Sequence, residues 1–259
     1  MPKRITFALQ KGGVGKSSST VAVASILAAA KYKVLVVDLD PQGNSTRMLT
    51  GNSIYQYSGR TVMEAIQDGN AEPYIEEVNP YLDLLPAEDR LAVFSRYIYT
   101  SKISKPFAVL KRLLEPIEDR YDYVFIDIGP SLGDTVVNAI VYADSIIIPV
   151  DLGDLAVEGM VRFIDFIEET AKEGHTKASI IGVLLTMRDG RVKNEKEISE
   201  DLRAMYGDLI FKTEINRRAR IKEIASKGID LNDPSMMDYM SLVEEIIERL
   251  EKGDRVHGE

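Results

Sequence analysis

The chain has 259 residues, 45% of them hydrophobic and 28% charged, with a formal net charge of −9. This is the balance of a soluble globular protein large enough to bury its own core without a metal or disulfide staple. The absence of cysteine excludes disulfides, thiolate zinc sites, iron–sulfur clusters and cysteine nucleophiles, and the acidic balance leaves any nucleic-acid contact to a local patch.

In chain order, the first apolar run is ITFAL (5–9), a strand that opens the chain where a signal peptide would need a longer apolar stretch. A helical pattern near 16–31 follows, then the strand KVLVVDLD (33–40). The stretch 43–60 is irregular, a helix falls near 60–68, LDLLPA (82–87) is a weaker strand, and 86–105 is irregular again. Tyr55, Tyr57, Tyr97 and Tyr99 in these stretches read as packing or surface residues rather than a platform for stacking bases. Helices near 106–119 and 132–143 flank the strand YVFIDI (123–128). The strand SIIIPV (145–150), a helix near 154–173, the strand SIIGVLLT (179–186) and a helix near 193–206 come next. A weaker strand LIFKT (209–213) and helices near 217–226 and 235–251 complete the chain.

Runs that are apolar without alternation belong to strands buried on both faces. Their regular exchange with helices predicts an α/β fold, a mostly parallel twisted sheet flanked by helices. No repeat, low-complexity tract or linker divides the chain, so 1–259 reads as one domain with its C-terminal helix docked on the body. No apolar run reaches the ~18 residues that would span a membrane. His175 and His257 are isolated in polar surroundings, without metal-ligand spacing.

Residues 10–18 read QKGGVGKSS between the first strand and the first helix. A glycine-rich turn at a helix N-terminus is a ready anion site, with N–H groups pointing inward and a favourable dipole. Gly12, Gly13 and Gly15 allow positive φ and close approach of the backbone to phosphate. Lys16 reaches β- and γ-phosphates and the Ser17 hydroxyl ligates Mg²⁺ in loops of this kind. The strict Walker pattern asks for glycine where Gln10 stands; the deviant form here carries the additional lysine Lys11 instead. Lys11 sits at the loop's start, where its side chain need not fold into its own site.

The second strand ends in Asp38 and Asp40, two carboxylates on one face at the strand's C-terminal end, where open parallel sheets bind ligands. Asp40 is placed to orient an attacking water or act as its base, with an outer-shell role toward the metal as a further possibility. Asp38 supports the loop or the metal's outer shell, and the alternative for either carboxylate is to cap the turn at Pro41–Gly43. The apolar strand YVFIDI ends in Asp127, the kind of aspartate that holds Mg²⁺ through water.

These motifs together resemble the ParA family. KGGVGKSS, VVDLDPQGNST and YDYVFIDIGPSLGDTVVNAI carry the resemblance, which continues through IIIPV, LAVEGM, GVLLTMRDGR and FKTEINRRARIKEIASKG over roughly residues 3–230. It implies a P-loop NTPase of the deviant Walker (MinD–ParA) type that binds ATP and Mg²⁺ through Lys11, Gly12, Gly13, Val14, Gly15, Lys16, Ser17 and Ser18, with Met187, Asn216 and Arg217 completing the nucleotide site. It implies a sandwich homodimer in which Lys11 contacts the partner's nucleotide. That dimer would bind non-specific DNA and leave it after slow hydrolysis stimulated by a ParB-like centromere-binding protein. The resemblance places DNA-binding arginines at Arg191 and Arg220. Around Arg220 the composition is basic: Lys212, Arg217, Arg218, Arg220 and Lys222 stand against Glu214 alone, and Arg188, Arg191 and Lys193 extend the patch. The length matches the family's short form, without an N-terminal helix-turn-helix domain, and the resemblance implies a cytoplasmic, nucleoid-associated protein. Asp151 and Gly153 occupy positions where relatives often carry Gln and Glu.

Two rivals follow from the same resemblance: a ParA-like ATPase that positions a protein cargo, and a MinD-like ATPase that binds membrane. The second needs a basic amphipathic C-terminal helix. The tail is acidic instead, and Met237, Met240, Leu242, Val243, Ile246, Ile247 and Leu250 read as a face docked on the body.

Overall fold

The computed structural model describes residues 1–153, 156–188, 193–216 and 230–257. Eight strands form a single sheet: β1 Lys3–Phe7, β2 Val34–Leu39, β3 Glu76–Asn79, β4 Leu82–Leu85, β5 Tyr123–Ile128, β6 Ser145–Asp151, β7 Ser179–Arg188 and β8 Ile210–Asn216. The helices among the described residues are α1 Lys16–Ala29, α2 Asn44–Thr50, α3 Val62–Asp68, α4 Phe94–Thr100, α5 Val109–Leu114, α6 Asp134–Tyr142, α7 Ala156–Lys172, α8 Lys193–Tyr206 and α9 Met237–His257.

The uninterrupted apolar runs form the middle of the sheet. All six residues of β2 and of β5 are buried, and alternate side chains serve opposite layers. Leu35, Val37 and Leu39 pack with Val124, Ile126 and Ile128 on one side; Val34 and Val36 pack with Phe125 and the α1 residues Val21, Val23 and Leu27 on the other. The strand order is β3-β4-β2-β5-β1-β6-β7-β8. Every neighbouring pair is parallel except β3 with β4. The chain leaves β1 for β2 on one side, and later crosses β1 to pass from β5 to β6. Such a reversal opens a crevice at the C-terminal strand ends, and the loop after β1 lies there.

Helix α9 lies along β8, the outer strand. Tyr239, Leu242, Val243, Ile246 and Leu250 are buried at helical spacing. Glu245 accepts hydrogen bonds from the backbone N–H groups of Lys212 (2.9 Å) and Thr213 (3.0 Å), and Asp238 accepts from that of Asn216 (3.4 Å). The Arg249 guanidinium lies over the Phe211 ring and donates to the Ile181 and Ile210 carbonyls. Met237 and Met240, expected on the docked face, are 66% and 40% exposed because they fall on the far side of the helix.

Four elements differ from expectation. The stretch 43–60 holds α2, whose only buried apolar side chain is Met48, and 86–105 holds α4, buried through Phe94 and Ile98 alone. The edge strand β3 is EEVN and shows no apolar run. The helix expected near 106–119 is α-helical only over α5: Glu115 keeps helical backbone and donates to the Lys111 carbonyl at 3.0 Å, but Pro116 has no N–H to make the next bond of the ladder. The helix expected near 217–226 lies outside the described residues.

Candidate functional site

The loop after β1 is shaped by two left-handed glycines, Gly13 (φ 78°) and Gly15 (φ 86°). The second delivers the chain into α1, which starts with no side-chain cap and no acidic residue in its first turn. No described residue accepts a hydrogen bond from the backbone N–H groups of Gly12–Ser18. A helix end left this way leaves its donors and positive dipole for a ligand. Gly12, Gly13, Gly15, Lys16, Ser17 and Ser18 line a cavity of about 400 Å³ together with Asp40, Pro130 and Met187. Two other hollows, of about 460 and 450 Å³, match it in size, so its donors and charges single it out. Val14 is fully buried and is not part of this lining.

Lys16 is buried, and its Nζ donates to the Lys11 carbonyl at 2.7 Å. Burial lowers the pKa of its amine, opposed by the nearby carboxylates of Asp127 and Asp40. The register sets Asp38 beside Asp127 across β2 and β5. Asp38 accepts from the Thr46 backbone (2.9 Å), the Thr46 hydroxyl (2.8 Å) and the Asp40 backbone (3.1 Å). It therefore holds the loop and the start of α2, one of the alternatives open to it. Burial first, and then the charge of Asp127, push Asp38 up to about 8. Asp127 receives the Ser45 hydroxyl at 2.7 Å on Oδ2, while its buried Oδ1 accepts no hydrogen bond from the described residues. Burial pushes Asp127 up to about 6, against the hydroxyls of Ser45 and Ser17. Asp40 is buried and accepts from the Gln42 N–H at 2.9 Å. A Cβ at Gly129 would stand 3.4 Å from its carboxyl group, so the loop after β5 runs directly over Asp40.

Lys11 does not stand free of its own protomer. Its Nζ forms an ion pair with Asp151, at the end of β6, at 2.6 Å. The cause is the carboxylate at 151, where a neutral Gln would offer no charge. Met187 adopts φ 57°, and its methyl carbon would stand 3.4 Å from a Cβ on Gly15. Asn216 donates from its side chain to Asp238 at 3.1 Å. Arg188, expected to extend the basic patch, is instead engaged by Glu214, which also binds Arg203 at 2.8 Å. Arg191, Arg217, Arg218, Arg220 and Lys222 lie outside the described residues. Sequence reasoning missed Ser45 and Thr46, although both stand in the motif DLDPQGNST.

The AAA domain family matches residues 2–180. The sporulation initiation inhibitor protein Soj of Bacillus subtilis is 34% identical over 252 residues, covering 95% of this chain and 98% of its own. The chromosome partitioning protein ParA of Caulobacter vibrioides is 32% identical over 255 residues, covering 95% and 94%. Among solved structures, a Borrelia burgdorferi B31 protein described as a plasmid partition protein and bound to AMPPNP is 29% identical. It has a TM-score of 0.83, covering 96% of this chain and 100% of its own. With the deviant loop, the buried Asp38–Asp127 pair and Asp40 set on a parallel sheet of this order, the chain belongs to the ParA/Soj family of P-loop partitioning ATPases.

Proposed function

We propose that this chain is an ATP-dependent DNA-partitioning ATPase. ATP and Mg²⁺ occupy the cradle, two copies close face to face, and the dimer holds DNA without sequence preference. Hydrolysis, stimulated by a ParB-like centromere-binding protein, releases it. The observation that carries this reading is the cradle itself: N–H groups over Gly12–Ser18 and a buried Asp127 oxygen that no described residue engages, beside a buried Lys16. These residues fit a nucleoside triphosphate with a divalent cation. The loop N–H groups and Lys16 take the phosphates, Ser17 ligates the metal, and Asp127 holds it through water. Mg²⁺, when bound, offsets the charge on the β- and γ-phosphate oxygens.

Asp40 orients the water that adds to the γ-phosphorus as the bond to the ADP oxygen breaks. Lys11 crosses to the partner's nucleotide after leaving Asp151. Turnover is slow, because a lysine brings a compact charge without the forked donors of an arginine finger. The basic segment with Arg218, Arg220 and Lys222, joined by Arg191, supplies the phosphate contacts to DNA, and pairing of two copies doubles it. Asn216 and Arg217, with Met187, complete the nucleotide site.

A membrane role is not part of this reading. Among the described residues no helix is long and apolar enough to cross a membrane, and the apolar face of α9 is occupied by the sheet. Retention on non-specific DNA and on anionic liposomes, each with ATP, ADP or no nucleotide, tests the proposal. DNA retention with ATP alone, and none on liposomes, is the expected result. Binding to DNA that ignores the nucleotide would refute it.

A further inference from the structure

A loop that keeps its own N–H groups for a ligand must be held in shape from outside. One contact does this from across the sheet. Thr186, 1% exposed near the end of β7, donates from its hydroxyl to the Val14 carbonyl at 2.9 Å. The described residues contain no cis peptide, and in a trans peptide the C=O and the following N–H point in opposite directions. Tying the Val14 carbonyl to β7 therefore turns the Gly15 N–H the other way. Val14 is fully buried, whereas Gly15 lines the cavity, so the other way is toward the ligand.

We infer that Thr186 is a positioning residue for the nucleotide: its hydroxyl sets the plane of the Val14–Gly15 peptide and thereby presents the Gly15 N–H to a phosphate. Two neighbours support this. Met187 takes the left-handed conformation and lays its side chain over Gly15, so the end of β7 bends onto the loop. Asp151 is the register partner of Thr186 and holds Lys11 at the loop's other end. One rung of the sheet thus grips the loop at both ends. A β-branched residue is ordinary in a strand, which is why Thr186 carries no signal in the sequence.

The inference rests on the nucleotide-binding reading, and the test separates the two. Thr186→Val keeps the shape and removes the donor; Thr186→Ser keeps the donor. Affinities for ATP and ADP, steady-state KM and kcat, thermal midpoints and the ¹H–¹⁵N cross-peak of the Gly15 amide on adding ADP with Mg²⁺ are measured. Thr186→Val should weaken both nucleotides about tenfold, the worth of one hydrogen bond, raise KM more than it lowers kcat, and reduce the nucleotide-induced shift of the Gly15 amide. Thr186→Ser should bind within about twofold of the parent. Unchanged affinity and an unchanged Gly15 shift in Thr186→Val, with only its thermal midpoint lowered, would make the contact merely structural and overturn the inference. Should the valine variant fail to fold, the serine variant decides alone, since weakened binding with the hydroxyl retained also overturns it. A parent protein that binds neither nucleotide would instead sink the functional reading, and this inference with it.

Discussion

Replacing Asp151 by Asn removes the charge that keeps Lys11 in its own protomer while leaving the side chain's shape. The two side chains are 36% and 25% exposed and meet at 2.6 Å. The pair therefore falls between an exposed ion pair, worth about 0.2–1 kcal/mol, and a hydrogen bond to a charged group, worth about 1.5–3 kcal/mol. Roughly 1 kcal/mol per protomer is a fair value after discounting for solvent. A symmetric dimer breaks two such contacts before both lysines can cross, about 2 kcal/mol in all, which corresponds to roughly 30-fold in the dimerisation constant. Sedimentation velocity across a concentration series, with a non-hydrolysable ATP analogue and Mg²⁺, should show Asp151→Asn dimerising at correspondingly lower concentration. The gain should vanish in a Lys11→Ala background, because the coupling between the two residues is the whole effect. Equal or weaker dimerisation in Asp151→Asn, or the same gain without Lys11, would refute the reasoning.

Asp40→Ala should retain the nucleotide-induced dimer and lose turnover by about 10²-fold, the usual worth of a placed base; phosphate release at the parent rate would remove Asp40 from the chemistry. Arg220→Ala should leave ATPase activity intact and lower the slope of log affinity for DNA against log salt by about one, read by fluorescence anisotropy over a salt series. Glu245→Ala strands two backbone donors on β8 and should cost about 1–3 kcal/mol in urea unfolding. Its pH dependence has a definite sign. Burial pushes the Glu245 carboxyl up, but the N–H groups of Lys212 and Thr213 and the Arg249 guanidinium outweigh it and hold it below its ordinary 4.5. A depressed pKa gives stability that is full above the unfolded value and fades as pH falls through the folded one. The gap between parent and variant should therefore be widest at neutral pH and narrow in acid below about 4.5.

What the sequence reveals follows how strongly a residue's neighbours along the chain constrain it. Strands β2, β5 and β6 are legible because burial on both faces demands apolar residues at most positions, with Asp38 and Asp127 set at the site's end of β2 and β5. The phosphate loop is legible because close approach to an anion demands glycines at fixed spacing. Helices α2 and α4 are not, since each is anchored by only one or two buried apolar side chains. The pairings that decide the site are less visible still. Lys11 and Asp151 lie 140 residues apart, and Thr186 and Val14 lie 172 apart; only the order of β1, β6 and β7 brings them together. Arg188 looks like a free cation in MRDGR, yet the register of β7 against β8 brings it to Glu214. Met237 and Met240 fall outside the docked face of α9 because periodicity gives the apolar stripe but not its limits.

The two outer strands carry different guards. At one end β3 is short, antiparallel and bears Glu76 and Glu77, charges that discourage a foreign strand from adding. At the other, the Glu245 carboxylate of α9 already takes the N–H groups of Lys212 and Thr213 on β8. Ribbon-like growth through sheet extension is thereby closed off at both margins, and copies of the chain are left to meet through loops and helices. Cutting the chain before α9 would uncover β8 as a sticky rim, so such a truncation should precipitate rather than persist as a smaller soluble protein.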